Sequence, residues 1–240
     1  MTIVAYHSVS VRDHPLAVSP DVFARQLDRF ARFEVLTLRE YASRIAIDTS
    51  MHGCVALTFD DGYTDFAETV LPMLLARGYP ATAFVSPGLA GATLLVDDAG
   101  TGIDRSWPLM DWDAIHTVTA QKIEVASHSV THALLTDLDD DSLWKEVTES
   151  KRLLEEGIER PVESFCYPGG RYDERVLAAV AAAGYARAVV TPRASRRARG
   201  ALALPRVGIY RKDDMVRFMV KISRAGRWIL RARHVAADAR

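Results

Sequence analysis

The sequence predicts one α/β domain folded as a parallel (β/α) barrel, and three observations carry that expectation. Short apolar runs alternate with amphipathic runs along 240 residues, the order of strands joined by crossover helices. No Gly-x-Gly-x-x-Gly turn follows a strand, which disfavours a dinucleotide-binding sheet. Residues able to do chemistry (His7, Asp60, Asp61, Ser86, His128, Tyr167 and Arg206) gather where the apolar runs end, and parallel barrels carry their active sites there. Seven or eight strands are expected, in a distorted barrel.

Strands are expected over 3–6, 33–38, 55–59, 81–85, 123–126, 164–167, 186–190 and part of 202–209, each short and rich in apolar residues. Ser19 as N-cap and Pro20 at the first helical position open a helix whose stretch 22–30 puts Phe23, Leu27 and Phe30 on one face. A helix over 65–77 is stopped by Gly78, and one over 143–156 turns Leu143, Val147 and Leu154 to the core before Gly157 closes it. Helices over 174–183 and 213–230 complete the alternation.

Two segments break the pattern. Residues 88–107, with Asp97, Asp98 and Asp104, read as a rim loop shaping a groove or as a surface insertion. Residues 192–200, with Arg193, Arg196, Arg197 and Arg199, read as a solvated basic loop or as an anion-binding edge. The basic run 224–240 is expected to be a helix end and a frayed tail, and 1–240 a single domain.

The balance of 30 basic against 31 acidic residues provides no field favouring nucleic acid or a membrane surface. No apolar run reaches membrane-spanning length, and Met1-Thr2-Ile3 begins a strand pattern without a basic leader, so a cytoplasmic protein is expected. Cys54 and Cys166, without paired spacing, read as small core residues. His14, His52, His116 and His234 lie away from strand ends and read as ordinary solvated histidines.

The run ending at Phe59 stops in Asp60-Asp61-Gly62, and the run ending at Ser127 stops in His128-Ser129-Val130-Thr131-His132. A hydrolytic divalent ion needs three imidazole or carboxylate ligands and an open position for water, and Asp61, His128 and His132 supply such a set. Asp60 is then available as general base. Either motif alone is as easily a turn or a helix face; their joint placement makes the case. Adjacent carboxylates diverge from a strand end, unlike those of an Asp-x-Asp phosphatase motif.

Thr58-Phe59-Asp60-Asp61-Gly62 and His128 to His132 resemble the first two motifs of the polysaccharide deacetylases with a NodB homology domain (carbohydrate esterase family four), and the likeness runs over about residues 1–210. Leu109 to Asp113 and Phe165-Cys166-Tyr167-Pro168-Gly169-Gly170 extend it. The resemblance implies a NodB-like barrel, a catalytic base at Asp60, metal ligands at Asp61, His128 and His132, and an oxyanion donor in the Gly169 N–H. Two departures stand out. Cys166 occupies the place of the family's base-orienting arginine, leaving Arg171 and Arg206 as candidates for its role. Leu204 to Ile209 lacks the expected acid histidine, and His7, at the rim end of the first strand, is the candidate for it. Tyr6-His7 and Pro205-Arg206-Val207 are similar to the branch acting on exopolysaccharide amino sugars.

The expected function is therefore metal-dependent removal of N-acetyl groups from the amino sugars of a glycan or glycoconjugate, with one divalent ion, zinc or else cobalt or nickel. Tyr167, Pro168 and Trp112 are expected to line the substrate groove, with Trp112 and Trp107 either stacking on sugar faces or packing near the groove. Two alternatives remain: an amide hydrolase acting on a non-sugar substrate, and a carbohydrate-binding protein that keeps the metal without turnover.

Overall fold

The structure is a computed structural model that describes residues 2–47, 53–95, 106–190 and 200–223. In chain order its elements are β1 (Thr2–Tyr6), β2 (Ser8–Val9), β3 (Ala17–Val18), α1 (Pro20–Phe30), β4 (Glu34–Leu36), α2 (Leu38–Ile47), β5 (Cys54–Phe59), a π turn (Phe66–Val70) running into α3 (Leu71–Leu75), β6 (Ala81–Val85), β7 (Thr93–Leu95), β8 (Ser106–Pro108), α4 (Trp112–Thr119), β9 (Ile123–Ser127), α5 (Asp140–Ile158), β10 (Ser164–Cys166), α6 (Glu174–Ala182), β11 (Arg187–Val190), β12 (Leu204–Pro205), β13 (Val207–Gly208) and α7 (Met215–Ile222).

One parallel sheet runs β12-β11-β10-β9-β6-β5-β1-β13, with β4 against β5. β12 and β13 flank Arg206 as one extended run: Leu204 and Pro205 pair with β11, and Val207 and Gly208 pair with β1. That run nearly closes the sheet on itself, and counting it once turns the nine sheet strands into eight. The distortion sits at β5, whose first half pairs with β4 and whose last residues pair with β6. Into this split goes the start of α2, where Leu38 N donates to Thr82 Oγ1 (2.8 Å) and Arg39 N to Glu124 Oε2 (2.9 Å).

Because side chains alternate along a strand, each strand feeds two cores. Ile3, Ala56, Phe84, Ala126, Cys166 and Val189 fill the barrel interior with Leu36 and Leu38. Their neighbours Val4, Leu57, Ala83, Val125, Phe165 and Ala188 face outward, under the helices. At the strand-end rim the inward positions become polar: Thr58 and Asp60 follow Ala56, and His128 follows Ala126. A buried polar rim thus stands on an apolar floor.

Several expectations need correction. Helix α2 begins inside the stretch expected to end a strand, and α4 lies where no element was expected, although both carried start signals. Thr37 and Glu40 form a reciprocal capping box (Thr37 N to Glu40 Oε2, 2.9 Å; Glu40 N to Thr37 Oγ1, 3.2 Å), and Asp111 caps α4 by accepting from Ala114 N. Gly157 lies inside α5, which ends at a left-handed Glu159; an added Cβ at Gly157 would sit 2.2 Å from Cζ3 of Trp112. Trp112 is therefore a packing residue between α4 and α5. Pro72 lacks the amide that would continue the ladder from the π turn, which explains the broken start of the 65–77 helix. Of the 88–107 segment, the described Thr93–Leu95 (β7) pairs antiparallel with Ser106–Pro108 (β8); Asp97, Asp98 and Asp104 lie outside the described residues, as do His52, His234, Arg193, Arg196, Arg197, Arg199 and 224–240. Trp107 and His14 are buried against each other at 5.2 Å, so neither is solvated.

Candidate active site

Asp60 and His128 reach the rim by continuing the sheet ladder past their strands: Asp60 N donates to Tyr6 O (3.0 Å) and His128 N to Val85 O (2.9 Å). The chain then turns sharply. Among the described residues, the non-glycine positions with positive φ are Asp61 (71°), Ser129 (63°), His132 (59°) and Glu159 (53°). Three of the four belong to the two motifs. Each such residue is strained by about 1 kcal/mol or more unless its surroundings hold it.

Those surroundings are visible. Glu146 of α5 accepts from Val130 N (2.8 Å), Thr131 N (3.0 Å) and Thr131 Oγ1 (2.7 Å), pinning the loop between the two histidines. Ser86 Oγ donates to His128 O (2.8 Å). Gly88 permits a close approach to this loop, since a Cβ there would lie 2.7 Å from Val130 Cγ1 and 2.8 Å from its carbonyl oxygen. Ser86 was expected at the rim; Glu146 was missed because its partners lie in a turn distant in sequence from its helix.

The three expected ligands converge. Asp61 Oδ1 lies 3.3 Å from His128 Nε2 and 3.3 Å from His132 Nε2. Ligand atoms bound about 2.0–2.1 Å from one ion at tetrahedral angles stand about 3.3–3.4 Å apart, so the spacing fits a shared divalent ion. His128 Nδ1 lies 2.7 Å from Cys166 O; a carbonyl can only accept, so Nδ1 carries the proton and Nε2 keeps its lone pair free for metal. Burial opposes the charge on Asp61, yet His128 and His132 outweigh it and hold the carboxyl well below its usual range.

Asp60 is held differently. Arg206, at the join of β12 and β13, grips it with two 2.6 Å bonds, Nη1 to Oδ1 and Nη2 to Oδ2. Arg206 also donates to Thr58 Oγ1 (3.0 Å) and Cys166 Sγ (3.2 Å), and its guanidinium lies 5.6 Å from the Phe84 ring centre. Burial pushes Asp60 up and Arg206 pulls it further down, leaving the carboxyl below its ordinary value. A second potential ligand set, Asp60, His128 and Cys166, also converges, but the arginine cation already occupies it, and burial pushes the Cys166 thiol up and keeps it neutral. Of the two candidate arginines, Arg206 is the one that contacts Asp60, while Arg171 is exposed.

His7 lies at the same rim, Nε2 3.8 Å from Asp60 Oδ2, with Nδ1 buried and unpartnered. Pro168 and Gly169 form a tight turn closed by Gly170 N to Tyr167 O (2.8 Å), with Gly169 at φ 60°. Tyr167, however, points to the outer core, stacked on Tyr172 and donating its hydroxyl to Leu202 O (2.9 Å). Its side chain belongs to packing, because the alternation places it opposite the inward Cys166.

Comparison with known proteins accords with this geometry. A family model described as polysaccharide deacetylase matches residues 48–188, more than half of the chain, and the protein belongs to that family. Bacillus subtilis (strain 168) has a relative named "Putative polysaccharide deacetylase YxkH", 29% identical over 213 residues, covering 87% of this chain and 71% of the relative. Among solved structures, the Streptococcus pyogenes deacetylase PplD, in complex with acetate, superposes with a TM-score of 0.78 at 22% identity, over 93% of this chain and 98% of that one. IcaB from Ammonifex degensii gives a TM-score of 0.71 at 22% identity, over 87% and 91% of the two chains. At these identities the solved structures establish the shared barrel fold. Among the described residues, no helix is long and apolar enough to cross a membrane.

Proposed function

We propose that the protein hydrolyses N-acetyl groups from the amino sugars of a glycan or glycoconjugate, using a divalent metal ion. The observation that carries this reading is the convergence of Asp61, His128 and His132 beside a separate carboxylate, Asp60, that a buried arginine holds away from the ligand set. Two imidazoles and one carboxylate suit zinc, with cobalt or nickel as substitutes. A divalent ion bound there acidifies water and polarises the acetyl carbonyl.

The chain's own groups then have distinct tasks. Asp60 accepts the proton of the attacking water. Arg206 keeps Asp60 ionised at neutral pH and fixes its plane, lowering its basicity while guaranteeing the form that can accept. The Gly169 N–H donates to the carbonyl oxygen as negative charge develops on it. His7 delivers a proton to the amine nitrogen as the C–N bond breaks, so that acetate and a free amino sugar leave.

The test is acetate release from acetylated amino-sugar polymers and small glycosides, after chelation and after adding back Zn²⁺, Co²⁺ or Ni²⁺. Release that disappears with chelator and returns with metal is expected. Release only from non-sugar N-acetyl compounds would move the activity to another amide, and glycan binding without release would make the protein a binder.

A further inference from the structure

The two histidines of the site are held by different means. His128 continues the ladder of β9, and its ring is fixed by Nδ1 on Cys166 O at 2.7 Å. His132 lies four residues further on, outside the sheet, with its side chain 26% exposed. Among the described residues its ring has one polar partner, Asp61, met through Nε2. Metal-binding imidazoles are ordinarily oriented by a partner at the second ring nitrogen. For His132 that task falls to the backbone that carries it.

That backbone is left-handed at Ser129 (φ 63°) and again at His132 (φ 59°), a conformation that residues with a side chain leave readily unless their surroundings hold it. The hold comes from α5. Glu146 accepts from Val130 N and Thr131 N with Oε2 (2.8 and 3.0 Å) and from Thr131 Oγ1 with Oε1 (2.7 Å). The two amides before His132 are thus both committed to one carboxylate, and a charged acceptor makes the stronger bond. One turn further along the same helix, Ser150 accepts the Ser127 hydroxyl at 2.8 Å. So α5 grips this segment at the end of β9 and again beside His132. The helix is itself anchored, with Leu143, Val147 and Ser150 buried. Gly88 N closes the other side of the loop by donating to Val130 O (3.0 Å). Glu146 stays outside the converging ligand atoms, which come from Asp61, His128 and His132.

We propose that Glu146 is a positioning residue for His132: by holding the loop in its left-handed form it sets the affinity of the site for a divalent ion. The proposal rests on the metal-dependent reading of the site and adds to it a residue outside the ligand set. Zn²⁺ affinity, measured on the full chain by competition with a chromophoric chelator, and the visible spectrum of the Co²⁺-loaded protein are compared for wild type, Glu146→Ala, Glu146→Gln and Thr131→Val, beside kcat and KM for acetate release and a thermal scan of the metal-free protein. Glu146→Ala should weaken Zn²⁺ binding about 10–100-fold and alter the Co²⁺ spectrum. Alanine favours a helix at least as well as glutamate, so α5 keeps its form. Glu146→Gln keeps an oxygen acceptor for both amides and should bind at least about threefold more tightly than Glu146→Ala. Thr131→Val removes only the bond to Oε1 and should lose about two- to tenfold. Excess Zn²⁺ should restore kcat in all three variants with KM unchanged, because Glu146 acts through occupancy of the site. Wild-type Zn²⁺ affinity in Glu146→Ala would overturn the proposal. So would Glu146→Gln binding as weakly as Glu146→Ala, which would assign the effect to charge and not to the held loop. Should Glu146→Ala fail to fold, Thr131→Val decides, and wild-type affinity in that variant overturns the role. Zn²⁺ bound by the wild type and weakened by Glu146→Ala, without acetate release from any N-acetyl sugar, keeps the role of Glu146 and removes the deacetylase reading. A wild type that binds no divalent ion overturns the role of Glu146, whether or not acetate is released.

Discussion

At the mouth where the strands begin, Glu124 is saturated: Oε2 accepts from Arg39 N and Thr82 Oγ1 at 2.9 Å each, and Oε1 accepts from Ser164 Oγ at 2.5 Å. At the mouth where they end, Asp61 faces two imidazole nitrogens at 3.3 Å on a strained backbone. The first mouth also holds a cavity of about 600 Å³, lined by Arg39, Lys122, Glu124 and Arg160. What separates the two ends is whether the polar groups already have the partners they need: Glu124 closes the fold by holding α2, whereas Asp61, His128 and His132 bring potential ligand atoms within 4.8 Å of one another.

The largest effect that can break this contrast comes from the ligands. His132→Ala should abolish metal retention and activity while changing the melting temperature little, measured by elemental analysis beside a thermal scan; metal retained at wild-type stoichiometry would end the assignment. Asp60→Asn should keep the ion and lose about two to four orders of magnitude in kcat. Wild-type turnover in that variant would remove Asp60 from the reaction.

Arg206 joins stability to the site. Truncation to Met leaves a buried carboxylate uncompensated, so unfolding in denaturant should show a loss of about 3–5 kcal/mol, and Arg206→Lys should restore only part of it because lysine cannot make the paired bonds. At the opposite mouth, Glu124→Ala should cost about 1–3 kcal/mol by stranding the donors of α2, Thr82 and Ser164, with kcat unchanged. A fall in kcat matching that of Asp60→Asn would show that the two ends are coupled.

The smallest effect concerns pH. Asp65 has a folded pKa of about 6, above the about 3.9 of an unfolded aspartate. The native state therefore holds this proton more tightly, and stability is complete below about pH 4 and declines as pH rises to about 6. Asp65→Asn should remove the decline, raising stability by about 1–3 kcal/mol at pH 7.5 relative to wild type and by much less at pH 4. Parallel pH–stability curves for the two proteins would contradict it.

Sequence periodicity located β1, β5, β6, β9, β10 and β11 because a buried parallel strand reads as a continuous apolar run. It failed at α2, where Leu36 and Leu38 carry the apolar pattern from strand into helix on either side of Thr37, although the Thr37–Glu40 capping box marked the boundary. It failed again at Gly157, since a helix-stopping glycine and one that admits an indole look alike until the neighbouring helix is placed. Tyr167, expected in the groove, lies in the outer layer because side chains alternate along its strand, and of the two readings of Trp112 helix packing selects the packing one.

By itself the sequence determined the barrel and singled out Asp60, Asp61, His128 and His132 as candidates at the strand ends, because short-range patterns encode strand ends and local spacing encodes chemical type. Only the tertiary structure decided between Arg171 and Arg206 as partner of Asp60, and brought Glu146 of α5 onto the loop between the histidines. Those contacts join residues distant in sequence, Arg206 and Asp60 across 146 positions and Glu146 and Val130 across 16, and no local pattern records them. The closing of the barrel, with β12 and β13 set against β11 and β1, places the guanidinium on the base.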